Sequence, residues 1–506
     1  MSHDTIIVGG GIGGLITGAL LAAKDRRSVL VLEKEATVGG RVVSFGGHHG
    51  KPSADEYTAL LNGAANVRIV QTDPSLLEIV DDHKLFDKFI IDPGWHTVGA
   101  TNRNRFSLLA KALGKSIPVA PQIGFYLDQP NGFVDLKDVS ATWPDESRRE
   151  HRRVAAERVA ISPAESAKYD HIDLVSYINM VTEDQLVRDY YIWLGRFVLA
   201  LNDASEGSAG EFIRTNNMPI AAGMHLSHGG GNGEVCRGFK TIANVFAEII
   251  VENGGEIRTN TPVRQVLIAR NRATGVLVGG PDDASPQTLQ AETVIVNLPM
   301  DAIGKVVPLE SFPAELRERI GRLYSALGMT GFIGVTELVE PDRPSGVFLV
   351  DPLPERIPLK GGDAWLAFEQ TSALDPTRRL GEAEGHYLQT WTVLHAKNEA
   401  TDDELLRRIA DAQLAFFRAR YPKWDNIYEW SIFTQADRVY GAAPAPGIGG
   451  DRRPPVHHPL VANLFFSGDT VTQTDVGTNG AAHGAILCAN AVTGRDFLPL
   501  LPDYLR

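Results

Sequence analysis

Residues 5–33 (TIIVGGGIGGLITGALLAAKDRRSVLVLE) crowd Gly9, Gly10, Gly11, Gly13 and Gly14 between two apolar stretches. The uncharged run over residues 6–23 is nearly long enough to cross a membrane. Its glycines argue against that, because each would weaken a helix by about 1 kcal/mol. A strand over residues 5–8, a tight turn and a helix over residues 15–24 fit instead. Residues 28–33 then read as a second strand, whose unbroken apolar run suits a parallel sheet covered on both faces. In Gly9-x-Gly11-x-x-Gly14 the first glycine permits the turn and the second admits a pyrophosphate close to the backbone. The third lets helix and strand pack closely, and the helix N-terminus offers free N–H groups to the anion. Glu33 follows Gly14 by nineteen positions, where an acid binds ribose hydroxyls. The unit is therefore expected to bind a dinucleotide.

A chain of 506 residues exceeds one ordinary domain, so two or three structural units are expected, and the βαβ unit at the start makes the protein α/β. Its 49 basic and 62 acidic side chains give a net charge of −13, which argues against nucleic-acid binding. Cys236 and Cys488 are the only cysteines, which excludes a disulfide framework and a cysteine-based metal site. The pairs His48-His49 and His457-His458 read as loop histidines, and no metal is expected. No targeting or integral membrane segment is read, so a cytoplasmic protein is expected. Peripheral membrane contact and oligomerisation are both compatible with the sequence. The basic run at residues 148–153 reads as a solvated helix face, and the apolar residues 497–501 as packed.

From about residue 76 to 217 the chain reads as helices and loops. Capping boxes are expected at Ser162-Pro163-Ala164-Glu165 and at Thr182-Glu183-Asp184-Gln185. The second opens a run with Tyr190, Tyr191, Trp193 and Phe197, too close in register for all to face one side. It reads first as core, with some of these rings expected to line a substrate roof. A helix is expected over residues 238–253, then strands at 256–259, 263–269, 275–278 and 293–297. Thr401 with Glu404 is expected to cap a helix running to Arg420. Residues 463–469 read as a strand entering a polar loop, and a last helix is expected over 481–493. One βαβ unit is too small for a sheet, so the later strands must complete it. This gives a Rossmann-type nucleotide-binding domain assembled from residues 1–76, 226–299 and 441–506. Residues 77–225 and 300–440 are left for a mixed α+β substrate-binding domain.

Gly39-Gly40-Arg41 follows Glu33 in the stretch EKEATVGGR. With it the chain resembles the flavin amine oxidase and phytoene desaturase (carotenoid desaturase-like) superfamily. Residues 255–263 look like the family's adenine-contacting strand, and residues 293–299 like the strand after it. Residues 463–469, continued by Gly477-Thr478-Asn479-Gly480, look like the C-terminal flavin motif. The resemblance implies non-covalent FAD, held by Gly9, Gly11, Gly13, Gly14, Glu33, Lys34, Gly40, Arg41, Val263, Gly468, Asp469, Gly477 and Ala481. Arg41 would be a fixed cation against phosphate or the flavin edge. Asp469 would meet the ribityl chain or a pyrophosphate-bound water. The last helix would point its positive end at the N1–O2 edge.

Several residues depart from the amine oxidase pattern. Residues 328–335 lack the lysine common there, and Val476, Thr478 and Asn479 stand where an aromatic cage residue is usual. Residues 44–66 lack the usual Asp-Gly. Residues 229–233 and 463–480 look more like the phytoene desaturase-like branch. The glycines at 229–233 and 447–450 follow no apolar strand, so no nicotinamide site is expected, and electrons pass to oxygen, a quinone or another acceptor. Tyr440, His483 and Asp475 are the candidate catalytic residues, each weighed against an ordinary hydrogen-bonded core role.

The resemblance implies an FAD-dependent desaturase or dehydrogenase that removes a hydride and a proton from a small, largely apolar isoprenoid or alicyclic substrate. The alternatives are amine oxidation and flavin-dependent isomerisation. A GDI-like escort shares the fold without flavin, but the intact cofactor motif argues against that class.

Overall fold

The strand His3–Val8 runs parallel to Val29–Leu32, with Thr5 opposite Val29 and Val8 opposite Leu32, and the helix Ile12–Asp25 crosses between them. The coordinates are those of a computed structural model that describes residues 3–122, 124–223, 232–280, 285–394 and 397–506. The segment boundary expected at 225/226, and residues 229–231 of the second glycine run, lie outside the described residues.

Among the described residues this unit grows into a seven-stranded sheet. Gln287–Val296 pairs parallel to His3–Val8, Leu464–Phe466 parallel to Gln287–Val296, and Glu256–Arg258 parallel to Val29–Leu32. An antiparallel hairpin, Val263–Ala269 with Arg272–Val278, extends one side. Side chains alternate between faces, as the strand period requires. Ile7, Val29, Val31 and Ile295 pack with the helices Ile12–Asp25, Lys240–Glu252 and Gly477–Thr493, while Ile6, Val8, Leu30 and Val294 pack on the other side.

The second sheet has eight strands among the described residues. Their order is Val67–Asp73, Tyr428–Ala436, Leu327–Val335, His386–Leu394, Leu366–Glu369, Gly346–Val350, Gly124–Gln129 and Gly132–Asp135. Met329, Ile333, Leu388 and Phe368 turn to one face and pack with Ile409, Phe416 and Phe417 of the helix Asp403–Arg420. Trp391, Val393, Ala367 and Leu349 turn to the opposite face, toward the first sheet and the helices between.

Several local expectations differ from what the structure holds. Val67–Asp73 pairs with Tyr428–Ala436, so the chain enters the second sheet before residue 76. The strand Asn232–Val235 in turn pairs with Val98–Gly99 and Val119–Pro121, from the stretch expected in the other domain. Helix Gln185–Leu199 is capped by Asp184, which accepts from the Val187 N–H at 3.1 Å, while Thr182 donates to Glu150. Asp402, not Thr401, caps the helix Asp403–Arg420. In both cases a carboxylate nearer the first turn is the better acceptor. The Ser162–Glu165 box forms, but its helix covers only Pro163–Ser166.

The last helix starts at Gly477, four residues earlier than expected. In Gln185–Leu199, Val187, Tyr191, Gly195 and Leu199 are buried, while Tyr190, Trp193 and Phe197 stay half-buried. Arg153 pairs with Glu150 and Glu157 on the solvated face of Asp145–Ala160, and Phe497 and Leu501 are packed. Among the described residues no helix is long and apolar enough to cross a membrane.

Candidate FAD site

The helices Gln185–Leu199, Ala209–Ala221 and Asp403–Arg420 begin with a side-chain cap, but Ile12–Asp25 and Gly477–Thr493, which open onto the main cavity, do not. Gly11 is the N-cap of Ile12–Asp25 and Val476 that of Gly477–Thr493. Neither side chain caps, and neither first turn holds an acid. Their leading N–H groups are left for a ligand. Gly9 turns the chain at φ +96°, with Asn297 O only 2.8 Å from where a Cβ would sit. A Cβ on Gly13 would lie 2.7 Å from Gly468 Cα, which is how closely the turn meets the C-terminal loop. Asn297 backs the whole turn and donates from Nδ2 to Gly9 O at 3.3 Å.

Glu33, at the end of its strand, is fixed by main-chain donors. Its Oε2 accepts from Gly10 N at 2.7 Å and its Oε1 from Glu35 N at 2.9 Å. Lys34 beside it pairs with Glu35. Gly39 N donates to Gly10 O at 2.8 Å, which brings Gly40 and Arg41 onto the turn. Arg41 reaches across to Asp469, at 3.2 Å to Oδ1 and 3.0 Å to Oδ2, and its other nitrogen faces the carbonyls of Arg438 and Val439. Gly441 N also donates to Asp469, at 2.7 Å. Burial alone would raise the Asp469 carboxyl. The Arg41 charge and these hydrogen bonds outweigh it and hold the group below the usual carboxylate range.

The cavity these groups enclose has a volume of about 610 Å³. It runs from Pro262, Val263 and Glu33, past Gly9, Gly11 and Gly40, to Gly468, Gly477 and Ala481, with His96 and Phe239 also on its wall. An elongated cavity with an acid, two uncapped helix ends and a fixed cation fits FAD. All thirteen residues expected at the cofactor line it except Gly14, whose Cβ would instead press on Gly9 O at 2.5 Å.

None of Tyr440, His483 and Asp475 lines this cavity. Tyr440 packs against Gly477, and burial followed by the Asp475 charge pushes its phenol far above the ordinary range. His483 Nδ1 accepts from Thr474 N at 3.0 Å, and burial with the Arg105 charge lowers its pKa to about 3. Asp475 pairs with Arg105 at 2.8 Å, is raised by burial despite that partner, and holds φ +109°. His96, Phe239 and Asn297 are site residues that the sequence reading missed. Asn297 stood in plain view at the end of a recognised strand, whereas nothing in periodicity or spacing marks His96.

The sequence model of flavin containing amine oxidoreductases matches residues 12–493. The chain belongs to the flavin containing amine oxidoreductase family. It is thus an FAD-dependent oxidoreductase, and bound FAD supplies a two-electron acceptor able to take a hydride. An oxidoreductase from Methanosarcina mazei shares its fold with a TM-score of 0.69 at 17% identity, over 97% of this chain and 100% of the other. A putrescine oxidase bound to putrescine gives 0.65 at 17%, over 98% and 100%. Cyclohexylamine oxidase from Brevibacterium oxydans gives 0.60 at 14%, over 97% and 99%. No curated protein matches the sequence.

Proposed function

We propose that this oxidoreductase dehydrogenates a substrate with a flat or chain-like apolar body, desaturating a carbon–carbon bond of an isoprenoid or alicyclic compound. An aromatic wall carries the reading. Trp95 stacks on Trp391 with centroids 5.9 Å apart, Phe197 meets Trp365 and Trp391 edge-on at 5.9 Å each, and Phe125 meets Phe197 at 5.7 Å. Trp95, Phe125 and Phe197 are half-buried, so the wall keeps apolar surface open. It adjoins the cofactor cavity through Gly328, where a Cβ would lie 3.0 Å from Trp391 Nε1 and 2.9 Å from Val439, itself a cavity residue.

In this reading FAD is held non-covalently. Glu33 takes the ribose, the N–H groups after Gly11 take the pyrophosphate, and the Gly477 helix end faces the ring. Arg41 and Asp469 hold the C-terminal loop in place. Oxygen, a quinone or another acceptor reoxidises the enzyme.

Amine oxidation is the second reading. The family description supports it, as do the two neighbours named for putrescine and cyclohexylamine, and aromatic faces also attract cations. Anaerobic mixing with isoprenoid, alicyclic and amine compounds separates the two. Flavin bleaching by the first two classes is expected, and bleaching by amines alone would reverse the order. Product formation without bleaching would point to isomerisation.

A further inference from the structure

Behind the cavity wall lies a buried group of acids around one cation. The Arg378 guanidinium meets Asp92 Oδ2 at 2.7 Å, Glu234 Oε2 at 3.3 Å and Asp375 Oδ2 at 3.4 Å. Glu369 belongs to the same group through Gln122, whose Nε2 donates to Glu369 Oε2 at 3.1 Å and to Thr97 Oγ1 at 3.2 Å. All four acids and the arginine are almost completely inaccessible to water. Two of the acids are well supplied with partners. Asp92 accepts from Phe239 N and from Ser44 and is ion-paired with Arg378, and Asp375 accepts from Arg237 N and from Thr377 and is ion-paired with Arg378. Glu369 accepts from Gln122 and from Thr371 Oγ1 at 3.1 Å, whereas Glu234 Oε1 has no hydrogen-bond partner among the described residues.

Ionising all four acids against one guanidinium would leave a large uncompensated negative charge in a dry interior. Burial accordingly raises the Glu234 carboxyl well above its ordinary range and Glu369 to about 7. Asp92 and Asp375 then share the single Arg378 cation, and a second cation beside Asp92 would complete the pairing.

The nearest group able to become that cation is His96. Its Nδ1 lies 3.8 Å from Asp92 Oδ2 and has no hydrogen-bond partner among the described residues. The ring is stacked on Phe239, with centroids 4.2 Å apart and planes 5° from parallel, and it lines the FAD cavity. Tyr387, Tyr57, Cys236 and His49, which feel the cluster's charge, are neutral at pH 7. Burial holds the Tyr387 and Tyr57 phenols and the Cys236 thiol far up their scales, and His49 falls to about 4.

We propose that His96 is the proton acceptor of the cavity and that Asp92, held in place by the Arg378 cluster, is its built-in counter-charge. Dehydrogenation removes two hydrogens. One leaves with its electron pair to FAD. The other leaves as a bare proton onto an imidazole lone pair of His96, and its bonding electrons form the new double bond. The imidazolium is then stabilised by the charge of Asp92, whose Oδ2 lies 3.8 Å from His96 Nδ1. The balance is the same for a carbon–carbon or a carbon–nitrogen bond, so the proposal does not depend on which substrate class is right.

The test follows flavin bleaching against pH with whichever substrate bleaches the flavin, alongside direct titration of isotope-labelled histidine by NMR on the FAD-loaded protein. The His96 resonance is assigned by its loss in His96→Gln. That variant should keep its flavin, bleach about a hundredfold more slowly and lose the acid limb of the profile. Asp92→Asn removes the counter-charge, so it should move the limb and the His96 resonance to lower pH by about one unit. Glu369, raised to about 7, carries little charge in the acid range, so Glu369→Gln should leave both nearly in place, and the limb lost in His96→Gln decides if Asp92→Asn does not fold. An unchanged acid limb in flavin-loaded His96→Gln would overturn the proposal. So would a His96 resonance that titrates identically in Asp92→Asn.

Discussion

The glycine turn lines the cofactor cavity, the Arg378 cluster lies behind its wall at His96, and the two are built in opposite ways. The turn is contiguous in sequence, made of small residues and main-chain N–H groups, and its tolerance is steric. The cluster gathers side chains from residues 92–97, 122, 234 and 369–378, and its tolerance is electrostatic. One extra carbon should ruin the first, whereas the second should accept a change of shape sooner than a change of charge.

Gly11→Val should show the contrast at its largest. A Cβ there lies 2.8 Å from Asn297 Nδ2, and the branched methyls occupy the cavity itself. The purified variant should be colourless, with flavin absorbance per chain near zero. Full flavin content would mean that this turn does not hold the nucleotide. Glu33→Arg should act in the same direction, since it strips the Gly10 and Glu35 N–H groups of their acceptor.

Arg41→Gln probes the one place where the turn borrows electrostatics. Asp469 would be left buried without its cation, and a loss of about 2 kcal/mol is expected after allowing for the partial exposure of Arg41. The Asp469 carboxyl is depressed in the folded protein, so its contribution is present at neutral pH and lost as pH falls through the folded value. Denaturant midpoints of wild type and variant should therefore converge below about pH 4.

Glu369→Gln should have the opposite sign. Glu369 is raised to about 7, so the folded protein holds a proton that the unfolded chain releases from about pH 4 upward. Wild-type stability should fall between about pH 4 and pH 7 and then level off. The glutamine variant should lose that slope and be the more stable at pH 8, by about 1–2 kcal/mol. A variant less stable than wild type at pH 8 would mean that the cluster tolerates charge no better than shape.

The smallest effect is expected at the aromatic wall. Phe197→Ala removes a half-buried ring and should cost about 1–2 kcal/mol of stability. Flavin content should stay unchanged while the ratio of bleaching rates between a bulky alicyclic and a linear isoprenoid compound shifts. If flavin is lost and the ratio is constant, the helix Gln185–Leu199 is plain core.

What could be read from the sequence follows the same divide. The strand, turn and acid at residues 5–33 are local, and hydrophobic periodicity marked the parallel strands at 5–8, 28–33 and 256–259 within two residues but missed the first six residues of Gln287–Val296. The helix start at Gly477 was hidden because two glycines in its first turn look like loop, and only tertiary packing holds them helical. Val67–Asp73 was assigned to the wrong neighbours because pairing with residues 428–436 leaves no trace in its own pattern. His96 and the four acids were invisible for a related reason. Each is an ordinary polar residue in its own stretch, and their chemistry exists only where the chain brings them together.

Thr17 Oγ1 lies 2.8 Å from Ser467 Oγ, a contact between residues 450 positions apart. On a ribosome, at roughly 5–20 residues per second, those residues are made on the order of half a minute or more apart. The first helix of the nucleotide unit must wait that long, with an apolar sheet edge uncovered, for the loop and helix that complete its cavity. Pigmentation thus becomes a marker of synthesis, because a nascent chain stopped before residue 477 lacks one of the two helix ends that face the cofactor. Chaperone dependence during translation, and the moment at which yellow colour appears, should both track the emergence of the last segment and not of the first.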